Sequence, residues 1–262
     1  MGVRRNGSHK YWDVIMQGIE RILVLNVPVD VLTMEKAVDC VCEHSKKHDR
    51  VSVVVAVNPE KSFAMQQSDE IRELIENADL VIPDGIGIVF GARILHGRQL
   101  GRVPGADLMQ EICKVSSDRD IRIYIYGAKE EVNARAVAKL RERHPDIQIV
   151  GRRNGYVRDN EMEGLIQEMN DSHADIVFLA LGSPRQERWM NTYGPKLNVG
   201  VCMGIGGTLD TIAGTVKRAP VFMQKIHLEW FYRLVKQPSR LWRTRLLFLF
   251  AVKVIWKKMV SC

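Results

Sequence analysis

Ile121-Arg-Ile-Tyr-Ile-Tyr126 is followed by Gly127-Ala-Lys-Glu-Glu131, by a helical pattern that runs to His144-Pro145, and by Ile147-Gln-Ile-Val150. This stretch decides the fold. An apolar run of strand length gives way to a turn glycine and two early acids that complement a helix dipole; a proline then stops the helix before a second apolar run. The result is a strand, helix, strand unit, and a helical crossover of that length is what joins parallel strands. The same rhythm extends outward on both sides, in Val51-Ser-Val-Val-Val-Ala-Val57, Leu80-Val-Ile82, Ile176-Val-Phe-Leu-Ala-Leu181 and Val199-Gly-Val-Cys-Met203.

Near-continuous apolar strands with amphipathic helices between them imply a sheet covered on both faces. The reading is an α/β fold with a Rossmann-like open, mainly parallel sheet and helices on both faces. Asn58-Pro59-Glu60 reads as an N-cap, a proline at the first helical position and an early acid, which predicts a helix over Pro59–Gln67. His96, in Leu95-His-Gly97, reads as the end of a helix before a glycine cap. Neither His96 nor His227 is expected to be catalytic.

Charge divides the chain. Residues 217–262 hold eleven Lys or Arg and a single acid, Glu229, whereas residues 1–216 hold 27 basic against 30 acidic groups. The cationic end also carries Trp230, Phe231, Tyr232, Trp242, the run Leu246-Leu-Phe-Leu-Phe250 and Trp256. Cations interleaved with aromatic and aliphatic groups suit an anionic lipid surface. The expected organisation is an N-terminal extension over 1–20, a core over 21–216 and a basic amphipathic appendage over 217–262, split by Pro238 into helices of about Val221–Lys236 and Ser239–Lys258. The longest uncharged apolar run, Leu246–Val252, is far short of the roughly 20 residues a spanning helix needs. The tail is therefore expected to lie on a membrane rather than cross it. A nucleic-acid partner is disfavoured, because the basic charge is confined to a tail with a long aliphatic run.

Five cysteines without CxxC spacing argue against a disulfide scaffold or a zinc site, and Cys40 and Cys42 read as buried small hydrophobes. The first residues lack an apolar signal region, so a cytoplasmic location is expected.

In open parallel sheets ligands bind beyond the carboxyl ends of the strands. Those ends carry Asn58-Pro-Glu60, Pro83-Asp-Gly-Ile-Gly87, Gly182-Ser-Pro-Arg-Gln-Glu187 and Gly204-Ile-Gly-Gly-Thr208, which should converge on one crevice. Glycines that let backbone N–H groups approach phosphate suggest a nucleotide diphosphate. The dinucleotide fingerprint is not met, since Leu209 and Phe90 stand where its third glycine would be, and no GxxxxGK[ST] occurs. Asp118-Arg119-Asp120 has the look of a metal-binding DxD pair, but it precedes a strand and so reads as a solvated turn at the wrong end of the sheet.

Val57-Asn-Pro-Glu-Lys61, Ile82-Pro-Asp-Gly-Ile-Gly87, Arg102-Val-Pro-Gly-Ala-Asp107, Leu181-Gly-Ser-Pro-Arg-Gln-Glu187, Gly204-Ile-Gly-Gly-Thr-Leu-Asp210 and Lys217-Arg-Ala-Pro220 occur in that order. Together they resemble the WecG/TagA/CpsF glycosyltransferases over about Ile22 to Arg245. The resemblance implies an inverting, metal-independent enzyme with no cofactor. It would move N-acetylmannosamine or a related sugar from a UDP-sugar to polyprenyl-diphosphate-linked N-acetylglucosamine, in bacterial surface-polysaccharide or teichoic-acid synthesis. A membrane-engaging C-terminal appendage would place it at the inner face of the cytoplasmic membrane.

By the same resemblance Asp84 is the general base, and Arg102 stabilises the departing diphosphate. Asn58, Gln186, the turn glycines Gly204, Gly206 and Gly207, and Asp210 form the donor site, while Arg233, Arg240 and Arg243 reach the lipid diphosphate. No residue is assigned to a metal. Each assignment has an ordinary rival: turn former for Asp84, surface ion pair for Arg102, helix cap for Asn58, dipole complement for Asp210, headgroup attraction for the tail arginines. One departure concerns Ala56, which stands where family members often have Thr. It leaves open a different donor such as UDP-glucose. A noncatalytic, membrane-recruited nucleotide-binding protein is the reading from another class.

Overall fold

The computed structural model describes residues 19–217, 219–220, 223, 231–232, 234 and 241–260, with the side chains of 241–244 excepted. The expected helix over Val221–Lys236 lies almost wholly outside the described residues, as do Arg233, Arg240 and His227. Among the described residues, β3 (Ser52–Val57), β4 (Leu80–Pro83), β5 (Arg122–Gly127), β6 (Gln148–Arg153), β7 (Ile176–Ala180) and β8 (Val201–Gly204) form one six-stranded sheet. Its order is β4-β3-β8-β7-β5-β6 and every pairing is parallel. The expected α/β class with a Rossmann-like sheet is thus the observed one.

Helices cover both faces. One is packed by α1 (Met34–Ser45), α5 (Gly105–Val115), α6 (Glu130–Arg143) and α9 (Thr208–Ala213). The other is packed by α2 (Pro59–Gln67), α3 (Asp69–Asn77), α4 (Ile86–His96), α7 (Met162–Asp171) and α8 (Arg185–Tyr193). Strand pleating sorts the side chains between the two cores, so Ile123 and Ile125 join the first while Tyr124 and Tyr126 join the second. The predicted cap is present: Asn58 accepts from the Lys61 N–H at 3.1 Å and opens α2 at Pro59. α4 ends at His96, with Gly97 in the left-handed region at φ 64°. Cys40, Cys42, Cys113 and Cys202 are free and buried. Burial pushes the Cys40 and Cys42 thiols up to about 11 and that of Cys113 up to about 12, so all three are inert as nucleophiles.

Strand limits shift for identifiable reasons. β6 runs on from Val150 to Arg153 because Gly151 admits the Tyr124 ring, which would lie 2.3 Å from a side-chain carbon there. β8 begins at Val201 because Gly200 is pressed against the end of α1, where a Cβ would meet the Ser45 carbonyl oxygen at 2.3 Å.

A hairpin not foreseen from the sequence precedes the sheet. β1 (Arg21–Val24) and β2 (Val27–Asp30) pair antiparallel, with Leu25 at φ 56° in the turn. Asp30, fully buried, accepts from Arg21 Nε at 2.7 Å, Arg21 Nη2 at 2.8 Å and the Val81 N–H at 2.8 Å. The hairpin is thereby clamped to the start of β4.

α10 (Leu241–Val260) replaces the expected Ser239–Lys258 helix with nearly the same limits. Its inner face is not a loose appendage, because Phe250 and Val254 are buried in the second core. They approach α4 at Gly91, where any Cβ would also run into Val24 of the hairpin at 2.5 Å. Lys253 lies 4.8 Å over the Phe63 ring of α2.

Candidate active site

The ends of β4, β3, β8 and β7 are consecutive in the sheet, about 4.8 Å apart from one to the next. They deliver Asp84, Asn58, the Gly204–Gly207 turn and the Gly182–Glu187 turn to one edge. This is the convergence the sequence predicts.

Asp84 follows β4 directly and is half-buried. Its N–H donates to the Val57 carbonyl at 3.0 Å, which ties it to the last residue of β3, and its own carbonyl accepts from Arg102 Nε at 2.8 Å. The Val103 N–H donates to the Pro83 carbonyl at 2.8 Å, so the loop carrying Arg102 is stitched to the same strand end. The structure therefore holds Asp84 and Arg102 together. Asn58 stands beside them, since a Cβ on Gly85 would lie 2.9 Å from the Asn58 Cβ. Its capping bond leaves it at the crevice edge, so helix cap and site residue are compatible roles.

The glycines divide by purpose. Gly85 and Gly87 serve packing: their missing Cβ atoms make room for Pro59, and at Gly87 also for Leu247 of α10. Gly204 is a glycine because the Gln186 amide lies against it, 2.5 Å from where a Cβ would be. Gly206 differs. It adopts φ 54° and nothing stands within 4 Å of its Cβ position, as is also true of Gly182 at φ 76°, and Gly207 beside it is exposed. This is the part of the edge where backbone could meet a ligand.

Gln186 is only 4 % exposed. Its Oε1 accepts from the Gly206 N–H at 3.0 Å and its Nε2 donates to Glu187 Oε1 at 3.1 Å. Asp210, on α9, accepts from Thr215 Oγ1 at 3.3 Å. Arg243 lies in the first turn of α10, and only its backbone is described. Asp118–Asp120 forms a turn just before β5, at the opposite end of the sheet. Among the described residues no group of three or more His, Cys, Asp or Glu could hold a metal ion.

Two residues escaped the sequence reading. Lys61 and Glu187, both nearly fully buried, pair at 2.7 Å and bridge α2 to α8 across the end of β8. Burial of a charge is not visible in local sequence, and the partners are far apart along the chain.

The strand starts carry the other ionic cluster. Asp79 accepts from Arg50 Nη2 at 2.6 Å and the Val53 N–H at 2.8 Å. Asp175 accepts from the Arg122 N–H at 2.7 Å and Arg122 Nη2 at 3.2 Å, with Lys46 Nζ at 3.2 Å. Burial alone would raise the Asp175 carboxyl, but the bonds from Arg122 and Lys46 outweigh it and hold the group below its usual range.

Comparison with known proteins identifies the family. The glycosyl transferase WecG/TagA/CpsF family matches residues 22–261. An N-acetylglucosaminyldiphosphoundecaprenol N-acetyl-beta-D-mannosaminyltransferase of Bacillus subtilis (strain 168) is 33 % identical over 90 % of this chain and 86 % of that protein. The enzyme of the same description from Bacillus spizizenii is 35 % identical over 74 % of each chain. A family match spanning the hairpin, every strand and α10, together with relatives of this identity, makes the protein a glycosyltransferase of the WecG/TagA/CpsF family.

Proposed function

We propose that the protein transfers N-acetylmannosamine from a UDP-sugar to polyprenyl-diphosphate-linked N-acetylglucosamine, with inversion and without a metal ion. The observation that carries this reading is the fixed pairing of Asp84 with Arg102 at one strand end, two strands from the open Gly206 turn. The relatives named above act on the same kind of acceptor. In the proposed mechanism the Asp84 carboxylate accepts the proton of the acceptor hydroxyl as its oxygen attacks the anomeric carbon, from the face opposite the UDP. The bond to the diphosphate breaks on the other side, and the guanidinium of Arg102 meets the charge left on the departing oxygen. Inversion follows from the single displacement.

Ala56, where the family pattern often has Thr, puts its methyl group 3.2 Å from the Cβ position of Gly105, at the start of α5. The missing hydroxyl keeps a second donor, UDP-glucose, as the competing reading.

Membrane attachment belongs to the same proposal. α10 is apolar on both sides: opposite buried Phe250 and Val254, it exposes Phe248, Val252, Ile255, Trp256 and Met259, with Lys253, Lys257 and Lys258 around them. No described helix is long and apolar enough to cross a membrane. A helix with one face in the core and the other apolar and flanked by lysines fits the surface of an anionic leaflet, where Arg233, Arg240 and Arg243 would reach the substrate diphosphate. Incubation with a panel of UDP-sugars and a polyprenyl-diphosphate N-acetylglucosamine acceptor tests the whole reading. The expected product gains one N-acetylmannosaminyl residue, the sugar less water, in the inverted anomeric configuration, with undiminished yield in EDTA. Transfer of another sugar, retention of configuration, or loss of activity in EDTA restored by Mg²⁺ would each overturn the corresponding part.

A further inference from the structure

Gln186 sits between a group that can only accept hydrogen bonds and one that can only donate. The Glu187 carboxylate receives its Nε2 at 3.1 Å, and the Gly206 N–H enters its Oε1 at 3.0 Å. Turning the amide over would set oxygen against carboxylate and NH₂ against N–H, so one orientation alone satisfies both neighbours. The carboxylate that fixes this choice is 1 % exposed and has its charge compensated by Lys61, 2.7 Å away and itself 5 % exposed. Without that cation a buried carboxylate would lose the partner that compensates its charge. The chain of contacts runs from α2 through α8 to the end of β8, over Gly204, which has no side chain to obstruct the amide. It ends on Gly206, whose left-handed backbone is open on its outer side.

We infer that Lys61, Glu187 and Gln186 form a buried positioning relay that holds the Gly204–Gly207 turn in its ligand-ready shape: Lys61 anchors the Glu187 side chain, Glu187 orients the Gln186 amide, and Gln186 Oε1 pins the Gly206 N–H. None of the three needs to touch the sugar nucleotide. Gln186 is then a positioning residue, in keeping with its burial, rather than a direct ligand of the donor. The inference rests on the reading of this turn as part of the donor site.

Two neutral double variants isolate the relay from simple loss of a buried ion pair. Lys61→Met with Glu187→Gln removes both charges but keeps an oxygen to accept from Gln186. Lys61→Met with Glu187→Leu removes the charges and the acceptor together. Both avoid an uncompensated buried ion, so their melting temperatures should lie close to each other. Amide hydrogen exchange at Gly206 reports the pin, and steady-state kinetics with UDP-N-acetylmannosamine reports the site. The Gln-containing double should keep Gly206 protected, with donor KM within about threefold of wild type. The Leu-containing double should lose that protection and raise donor KM about tenfold, with acceptor KM unchanged. Equal protection of Gly206 in both doubles would overturn the relay. Lost protection with an unchanged donor KM would leave the relay standing and overturn the assignment of this turn to the donor.

Discussion

The two ends of the sheet are built from the same residue types and put them to opposite uses. At the end of the sheet where its strands begin, Asp79 and Asp175 precede β4 and β7, and Asp30, the last residue of β2, meets the start of β4; all three are buried, and each accepts from an arginine and from a backbone N–H. At the strand ends, Asp84 is half-buried and bonds Arg102 through its backbone carbonyl, which holds the arginine in place without that bond drawing on the carboxylate. The first arrangement turns ionic groups into mortar, since paired buried carboxylates fix the hairpin and strand starts in one geometry. The second keeps a carboxylate, a guanidinium and an open glycine turn near one another at the edge where α/β sheets bind ligands. Residue type alone does not separate an acid that stabilises from one proposed to react; the end of the sheet at which it stands does.

The sharpest way to break this contrast is to neutralise one acid at each end. Asp84→Asn keeps size and hydrogen bonding but removes the proton acceptor, so kcat should fall at least about 100-fold while the melting temperature stays put. Asp30→Ala should do the reverse. It leaves the Arg21 guanidinium, whose side chain is 9 % exposed, with the Ala78 and Asp79 carbonyls but without the Asp30 carboxylate, and should cost about 3–5 kcal/mol in urea unfolding, with kcat of the folded fraction unchanged. An activity loss in the Asp30 variant under conditions where it is fully folded would mean that the two ends are not separable.

Much of this was legible in the sequence. Six strands announced themselves as apolar runs, five of them through burial on both faces and the edge strand β6 through Ile147 and Ile149, and the cap at Asn58 and the proline stop after His144 marked helix ends through local chemistry. The β1–β2 hairpin did not, because two four-residue strands with Pro28 inside one of them and Leu25 in the turn offer neither alternation nor a turn glycine. The strand-end motifs located the crevice, yet the purpose of their glycines could not be read from spacing. Gly85 and Gly87 proved to be packing residues, and only the fold shows that Gly182 and Gly206 have open Cβ positions. Lys61 and Glu187 were quoted within motifs but had no visible partner, since their pairing exists only after α2 and α8 are brought side by side.

A smaller effect sharpens the comparison at α10, which also has two faces of contrasting purpose. Trp256→Ser, on the outward face, should weaken binding to anionic vesicles by roughly tenfold, as expected for one apolar side chain withdrawn from the interface. The melting temperature in buffer should not change, because the core contact is made by Phe250 and Val254. Unaltered co-sedimentation would remove the outward face from the membrane reading.

The smallest effect concerns acid. Asp175 has a folded pKa below its unfolded value near 3.8, so its stabilising contribution is fully present above that value and is lost as pH falls from there through the folded pKa. Unfolding titrations of wild type and Asp175→Asn should therefore differ near neutral pH and converge as pH falls below about 3.8. A difference that persisted undiminished into strong acid would show that Asp175 acts through shape rather than charge.

Ligand chemistry is proposed to be confined to the strand-end edge. Backbone amide shifts during a titration with UDP test it most directly. The account predicts perturbations at Asn58, Asp84 and Gly204–Gly207, with the amides of Asp30, Asp79 and Asp175 unmoved; shifts concentrated at the strand starts, or saturable UDP binding that leaves the Gly204–Gly207 turn untouched, would contradict it.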